Sequence, residues 1–309
     1  MTAPKLPPKP KAKPAPVAKK LTVPKTPVPK SAAQQHTAKT YTVESWTSEG
    51  QGEKIVLYGK SGIGKTTLAA QVPGAVFIGL DDGGRKIPNP LTGEPVLAIP
   101  GITSFLDLRD VLAQQNLFPE GATIVIDTMT KAQEFIEEHV VAHVEKEKGG
   151  KAKNLNDFGW GDGFRHVYEH GRLILSDLDA HIAAGRNVIL LCQLDQITVA
   201  NAAGADFLED GPKLQHNRKG SLRTEVCEWA DHVGRVGYLD FQVLKGENQK
   251  TGKVATQDET RAIFTGGAPH FTAKARLING YRIPPVISFD GAEDNALWQF
   301  IFEGAQLAD

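Results

Sequence analysis

No run of apolar residues in this sequence approaches the roughly twenty needed to cross a bilayer as a helix, and the N-terminus has no apolar segment of the kind a secretory signal carries. Cysteine is nearly missing: Cys192 and Cys227 are the only two. Both sit in apolar or helical patterns and read as buried, reduced thiols, which argues against a disulfide framework and for a cytoplasmic setting. No repeat of fixed period is evident. Acidic residues are absent from positions 1–40, which hold nine lysines and nine prolines. A net charge of −1 for the whole chain less those nine positive charges leaves about −10 on residues 41–309, so the near-neutral total conceals two oppositely charged parts.

That first stretch has almost no large apolar side chains. It cannot bury enough surface to offset its conformational entropy, and residues 1–45 are expected to be a disordered, partly polyproline-like basic tail. Such a tail can add sequence-independent attraction to phosphate backbones, or serve only as a solubilising linker. From residue 46 to 309 the texture is that of one folded domain. Strands are expected at Lys54–Tyr58, Ala75–Gly79, Thr123–Asp127 and Asn187–Gln193, mostly as continuous apolar runs suited to a parallel sheet covered on both faces. Helices are expected near 64–72, 103–114, 129–148 and 162–184, the last with Ile174, Leu178 and Ile182 on one stripe. Strand–helix alternation means an α/β layered fold. After residue 233 the pattern turns strand-rich (234–245, 262–265, 271–277), with a short helix near 293–303.

Residues 59–66, Gly-Lys-Ser-Gly-Ile-Gly-Lys-Thr, match G-x-x-x-x-G-K-[ST] between the Ile55–Tyr58 strand and the Thr67–Ala70 helix start. The chemistry requires these types. Gly59, Gly62 and Gly64 let the backbone bend so that the N–H groups of Lys60, Ser61, Ile63 and their neighbours converge on phosphate oxygens. The helix that begins at Lys65, Thr66 and Thr67 adds its positive end. Lys65 reaches the β- and γ-phosphates, and the Thr66 hydroxyl is offered to Mg²⁺. ATP and Mg²⁺ are therefore the expected ligand and cofactor.

A second metal-side carboxylate is expected at Asp127, which closes the apolar Thr123–Asp127 strand, although an aspartate there also suits an ordinary helix N-cap. Asp81 and Asp82 close the Ala75–Gly79 strand, and one of them is the candidate general base; Asp-Gly equally makes a turn. Gln193 closes the 187–193 strand, where its amide can meet the γ-phosphate or lytic water, or simply cap.

Taken together, these residues resemble the RecA-type ATPases. The closer likeness is to the phage nucleotide-binding proteins, RecA-like recombinases or single-strand annealing ATPases. The resemblance spans about residues 52–290 and rests on VLYGKSGIGKTTLAAQVPGAVFIGLDDGGRKI, NDFGWGDG, NVILLCQ and FTAKARLINGYRIPPVISF. It implies a sheet in which the 187–193 strand separates the P-loop strand from the Asp127 strand, with further antiparallel strands at the C-terminal end. It implies Gln193 as γ-phosphate sensor. It places Asp81 where a catalytic glutamate is usual, one methylene short, which implies slow hydrolysis. Lys274 and Arg276 match the basic pair that reaches a neighbouring subunit's ATP, so a homo-oligomer, ring or filament, is implied.

Two segments are candidates to face single-stranded DNA. Residues 146–163 carry Lys146, Lys148, Lys151 and Lys153 ahead of Phe158 and Trp160, cations beside rings as single strands require. Residues 194–223 read as a long irregular loop with Lys213, His216, Arg218, Lys219 and Arg223. Solvated lysines and a mobile surface loop are the plainer alternatives. His139 and His143 have zinc-like spacing, but no further ligands complete a site; His166, His170, His181 and His232 have no evident catalytic partner.

The expected function is an ATP-binding, ATP-hydrolysing DNA-binding protein of phage recombination. The alternatives are a nucleotide-regulated partner or loader of a phage single-strand-binding or replication protein, and a hexameric helicase-type motor. No membrane partner is expected.

Overall fold

The structure, a computed structural model, describes Val43, Thr47 and residues 49–303 apart from 202–203, 240–241, 245–252, 256–259 and 279; the side chains of Asp82, Arg85, 242–244 and 253–255 also fall outside it. The Lys/Pro-rich tail lies outside the described residues. Residues 48–309 form one compact unit, to which every element below belongs.

Strands β1 (Lys54–Gly59), β2 (Ala75–Gly79), β3 (Leu97–Ile99), β4 (Thr123–Asp127) and β5 (Asn187–Val199) alternate with helices α1 (Lys65–Ala70), α2 (Phe105–Ala113), α3 (Met129–His143) and α4 (Asp162–Ala183). Then come β6 (Phe207–Pro212), the two-residue strands β7 (His216–Asn217) and β8 (Gly220–Ser221), and α5 (Leu222–Trp229). The chain continues through β9 (His232–Tyr238), β10 (Gln242–Leu244), β11 (Lys253–Ala255), β12 (Arg261–Phe264), β13 (Lys274–Ala275) and β14 (Val286–Phe289), and ends in α6 (Ala296–Trp298) and a π turn, Gln299–Glu303.

The main sheet runs β14-β12-β9-β1-β5-β4-β2-β3. From β9 to β3 every neighbour is parallel, and β12, β13 and β14 add antiparallel strands at one side. One strand, β5, separates β1 from β4, as the resemblance implies. The fold is thus a RecA-like α/β P-loop architecture. Strict alternation along each strand builds two cores. Val56, Tyr58, Ile124, Ile126, Val188 and Leu190 face α2, α3, α4 and α5. Ile55, Leu57, Val125, Ile189 and Leu191 face α1 and the C-terminal segment. Ile174, Leu178 and Ile182 are all buried on α4, and Gly171 on the same helix leaves room for Leu222, whose methyl carbon lies 2.4 Å from where a Cβ would stand. Among the described residues no helix is long and apolar enough to cross a membrane.

Two expectations are corrected. The 129–148 helix stops at His143, because Lys146–Gly150 close a turn in which the Gly149 amide donates to the Lys146 carbonyl (2.7 Å). Nor is 194–223 an irregular loop. β5 runs on to Val199 and pairs antiparallel with β6 from Leu194↔Pro212 to Val199↔Phe207, and the β7/β8 ribbon and α5 follow. The alternating Leu194, Gln196 and Thr198 are compatible with a half-exposed ribbon, a weaker sequence signal than the buried run before them.

Candidate nucleotide site

The P-loop is the turn from β1 into α1. Gly62 (φ 77°) and Gly64 (φ 108°) adopt left-handed conformations that β-carbon-bearing residues rarely take, so the motif's glycines are required by the backbone. Lys65 is buried, and its ammonium donates to the carbonyl oxygens of Gly59 and Lys60, both at 2.9 Å. Burial pulls its pKa below the usual lysine value, and the Asp127 charge opposes that shift. An ammonium held at the mouth of a glycine turn, with only neutral carbonyls as hydrogen-bond partners among the described residues, is suited to an anion.

Asp127 ends β4 beside it. The Thr66 hydroxyl donates to Asp127 Oδ2 at 2.8 Å, which brings together the two oxygens expected to serve a cation. Asp127 is not a helix cap: Thr128 caps α3, its Oγ1 accepting from the Lys131 amide. Burial raises the Asp127 pKa and the Thr66 hydroxyl partly offsets this. A divalent cation with ATP would be held by Thr66 and Asp127, supplying charge neutralisation between the terminal phosphates. These donors are oxygen only, as Mg²⁺ prefers.

The remaining candidates divide. Asp81 is exposed and its carboxylate accepts from the Gly83 amide at 3.0 Å, capping a 3-10 turn over Asp82–Lys86; its charge still reaches Lys65 and Asp127. The Asp82 side chain lies outside the described residues. Gln193 stands opposite Gly59 in the β1–β5 register, its backbone N–H donating to Thr130 Oγ1 (3.0 Å) and its backbone carbonyl accepting from the Lys213 backbone N–H (2.7 Å). Lys274 and Arg276 are not in this chain's own site. β13 pairs with the beginning of β9, at the end of the sheet away from the P-loop. There Lys274 donates to the carbonyls of Cys227 (2.8 Å) and Glu228 (3.1 Å), and Arg276 pairs with Asp231 (2.9 Å).

Of the DNA candidates, Phe158 is buried and is not a stacking surface, and Arg223 is buried on the Glu209 carbonyl, Nη2 at 3.3 Å. Trp160 is 92% exposed. His139 stacks on His143 with ring centroids 4.5 Å apart, and among the described residues no group of three or more ligating side chains could hold a metal. Cys192 is fully buried with its pKa pushed up by burial, and half-buried Cys227 is pushed up to about 11, also chiefly by burial.

Sequence reading missed two features. Arg261, at the start of β12, donates to the Ile63 carbonyl of the P-loop at 3.3 Å. Arg235 on β9 pairs with the buried carboxylate of Asp210 on β6 (2.8 Å) and lies 5.3 Å from the ring centroids of both Phe264 and Phe271. Neither belongs to a recognisable motif.

A glycine turn with a buried lysine, the Thr66 hydroxyl hydrogen-bonded to the Asp127 carboxylate and one strand between β1 and β4 define a nucleotide-binding P-loop ATPase of the RecA-like type. The chain belongs to the AAA domain family, whose model matches residues 51–277. A comparison with curated proteins found no match. Among solved structures, the chain is similar to an ATPase from the type III secretion system of pathogenic bacteria, at 14% identity over 60% of this chain and 52% of that one (TM-score 0.34). It is also similar to a KaiC-like protein from the hyperthermophilic archaeon Pyrococcus horikoshii OT3, at 16% identity over 69% and 78% (TM-score 0.32). It spans about half the length of the secretion ATPase.

Proposed function

We propose that the chain is an ATP-hydrolysing, Mg²⁺-dependent DNA-binding protein of phage recombination, working as RecA-like recombinases and single-strand annealing proteins do. Lys65 binds the terminal phosphates, Thr66 and Asp127 hold the cation, Gln193 senses the γ-phosphate, and Asp81 takes the proton from the attacking water. Lys274 and Arg276 complete the neighbouring subunit's site in a ring or filament, a reading supported by their distance from the site of their own chain.

The observation that carries the DNA reading is Trp160. It is almost fully exposed at φ 48°, between Gly159 (φ 75°) and Gly161 (φ 77°), so the backbone is shaped to display an indole to solvent. Just behind it Lys219 pairs with Asp162 at 2.7 Å, and exposed Lys213 and Arg218 lie on the segment joined to Gln193 by the Lys213 amide. A ring beside cations, tied to the γ-phosphate end of the sheet, suits a single strand whose binding responds to ATP.

The test is fluorescence anisotropy of a labelled single-stranded oligonucleotide with full-length protein, at several salt concentrations, with and without Mg-ATP. Binding should tighten with ATP and weaken with salt. Trp160→Ala should weaken it about tenfold, at the lower end of the 1–3 kcal/mol range for stacking on a base, leaving the salt slope unchanged. No binding, or binding indifferent to ATP and to Trp160, would instead favour the reading as a nucleotide-regulated partner of a replication protein.

A further inference from the structure

The metal side of the site is built on β4 and β5, on one side of the P-loop strand. Asp127 ends β4, Gln193 lies on β5, and Thr66 leans toward Asp127. A nucleotide whose terminal phosphates point there must extend its α-phosphate and nucleoside toward the other side of β1, where β9 and, beyond it, β12 lie.

Arg261 stands at that place. In the antiparallel β9–β12 pairing it lies opposite Tyr238, two residues beyond the Val236↔Ile263 pair. Val236 and Ile263 both belong to the core shared with α1, so alternation puts Arg261 and Tyr238 on the α1 face as well. β14 places Phe289 directly across from Arg261, whose guanidinium lies 4.8 Å from the phenyl centroid. That stack aims the fork at the P-loop: Nη1 donates to the Ile63 carbonyl and stands 2.8 Å from where a Cβ would sit on Gly64. Among the described residues no carboxylate pairs with this guanidinium. Tyr238 beside it is 43% exposed. A stacked arginine with spare donors against a phosphate loop, next to an exposed phenol ring, matches a phosphate–nucleoside unit, because the planar fork recognises phosphate oxygens bidentately and a ring covers a base.

We propose that Arg261 is a nucleotide-binding residue of this site, contacting the phosphates that ATP and ADP share, with Tyr238 walling the nucleoside. The inference rests on the P-loop as the nucleotide site. It names a positive charge supplied by the same chain, distinct from the pair assigned to a neighbouring subunit.

The test is isothermal titration of Mg-ATP and of Mg-ADP into full-length wild-type, Lys65→Ala, Arg261→Ala and Arg261→Lys proteins, with the melting temperature of each measured without nucleotide. Arg261→Ala should weaken ADP and ATP by the same factor of about ten, Arg261→Lys by less, and the nucleotide-free melting temperatures should match wild type. A loss confined to ATP would place Arg261 at the γ-phosphate and overturn the assignment. Unchanged affinities would also overturn it, as would a weakening accompanied by a lowered nucleotide-free melting temperature, since Arg261 would then only prop the loop. Should wild type and Lys65→Ala both fail to bind nucleotide, it is the P-loop reading that falls, and Arg261 with it.

Discussion

Lys65 and Asp127 are each kept in an environment that disfavours their charge, and that is where the site's pH behaviour originates. The Asp127 carboxyl titrates above the ordinary carboxylate range because it is buried. With its folded pKa raised, folding favours the protonated acid, and the stability this group contributes is present at low pH and lost as pH rises through the folded pKa. Asp127→Asn should therefore raise the nucleotide-free melting temperature at pH 7–8, by on the order of 2 °C per kcal/mol recovered in a domain of this size, while abolishing the Mg²⁺ dependence of ATP binding. Calorimetry with and without Mg-ATP measures both. In wild type, Mg²⁺-supported ATP affinity should fall as the pH is lowered toward the raised pKa, before an ordinary carboxylate would protonate, and Asp127→Asn should remove that fall. Lys65→Ala should weaken ATP by at least about tenfold, since charge-assisted hydrogen bonds contribute roughly 1.5–3 kcal/mol. These residues were legible because backbone geometry and phosphate chemistry confine them to eight consecutive positions and one strand end. Arg261 was not: 198 residues separate it from Ile63, and only strand register brings them together.

Among elements, the β5–β6 hairpin departs most from sequence expectation. Its outer half has one face in solvent, so its residues are polar enough to read as loop. Its base is fastened to the main sheet through Asp210, which accepts from Arg235 and from Gln196 Nε2 (2.7 Å), while the Asp210 carbonyl accepts from Tyr58 Oη (3.3 Å) and the Thr272 amide (3.0 Å). Burial drives the Tyr58 pKa far up, so its hydroxyl is held as a donor. Because the Arg235–Asp210 pair is largely desolvated, removing one partner strands the other. Asp210→Ala or Arg235→Ala alone should cost about 3–5 kcal/mol, and the double variant distinctly less than the sum, as read by denaturant unfolding in a double-mutant cycle. Strict additivity would mean that the pair is not what holds the hairpin. The strands of the central sheet were readable because burial on both faces makes them uniformly apolar; the hairpin and β14 gain their regularity from pairing partners rather than from composition, and the strand expected over 271–277 is reduced to the two-residue β13.

At the scale of the whole molecule, the nucleotide site and the Lys274/Arg276 pair lie at opposite ends of one sheet, about four strand positions apart in the β1–β9 register. A rigid α/β body cannot bring them together within one chain. If both serve the same ATP, they do so across an interface between copies, and hydrolysis belongs to the oligomer. The most direct test is the ATPase rate, with single-stranded DNA present, of Lys65→Ala protein, of Lys274→Ala/Arg276→Ala protein, and of their equimolar mixture. Each alone should be inactive, and the mixture should recover a sizeable fraction of the wild-type rate, because some interfaces then pair an intact P-loop with an intact basic pair. Full activity in the Lys274→Ala/Arg276→Ala protein alone would contradict this, and would mean that each subunit hydrolyses ATP by itself.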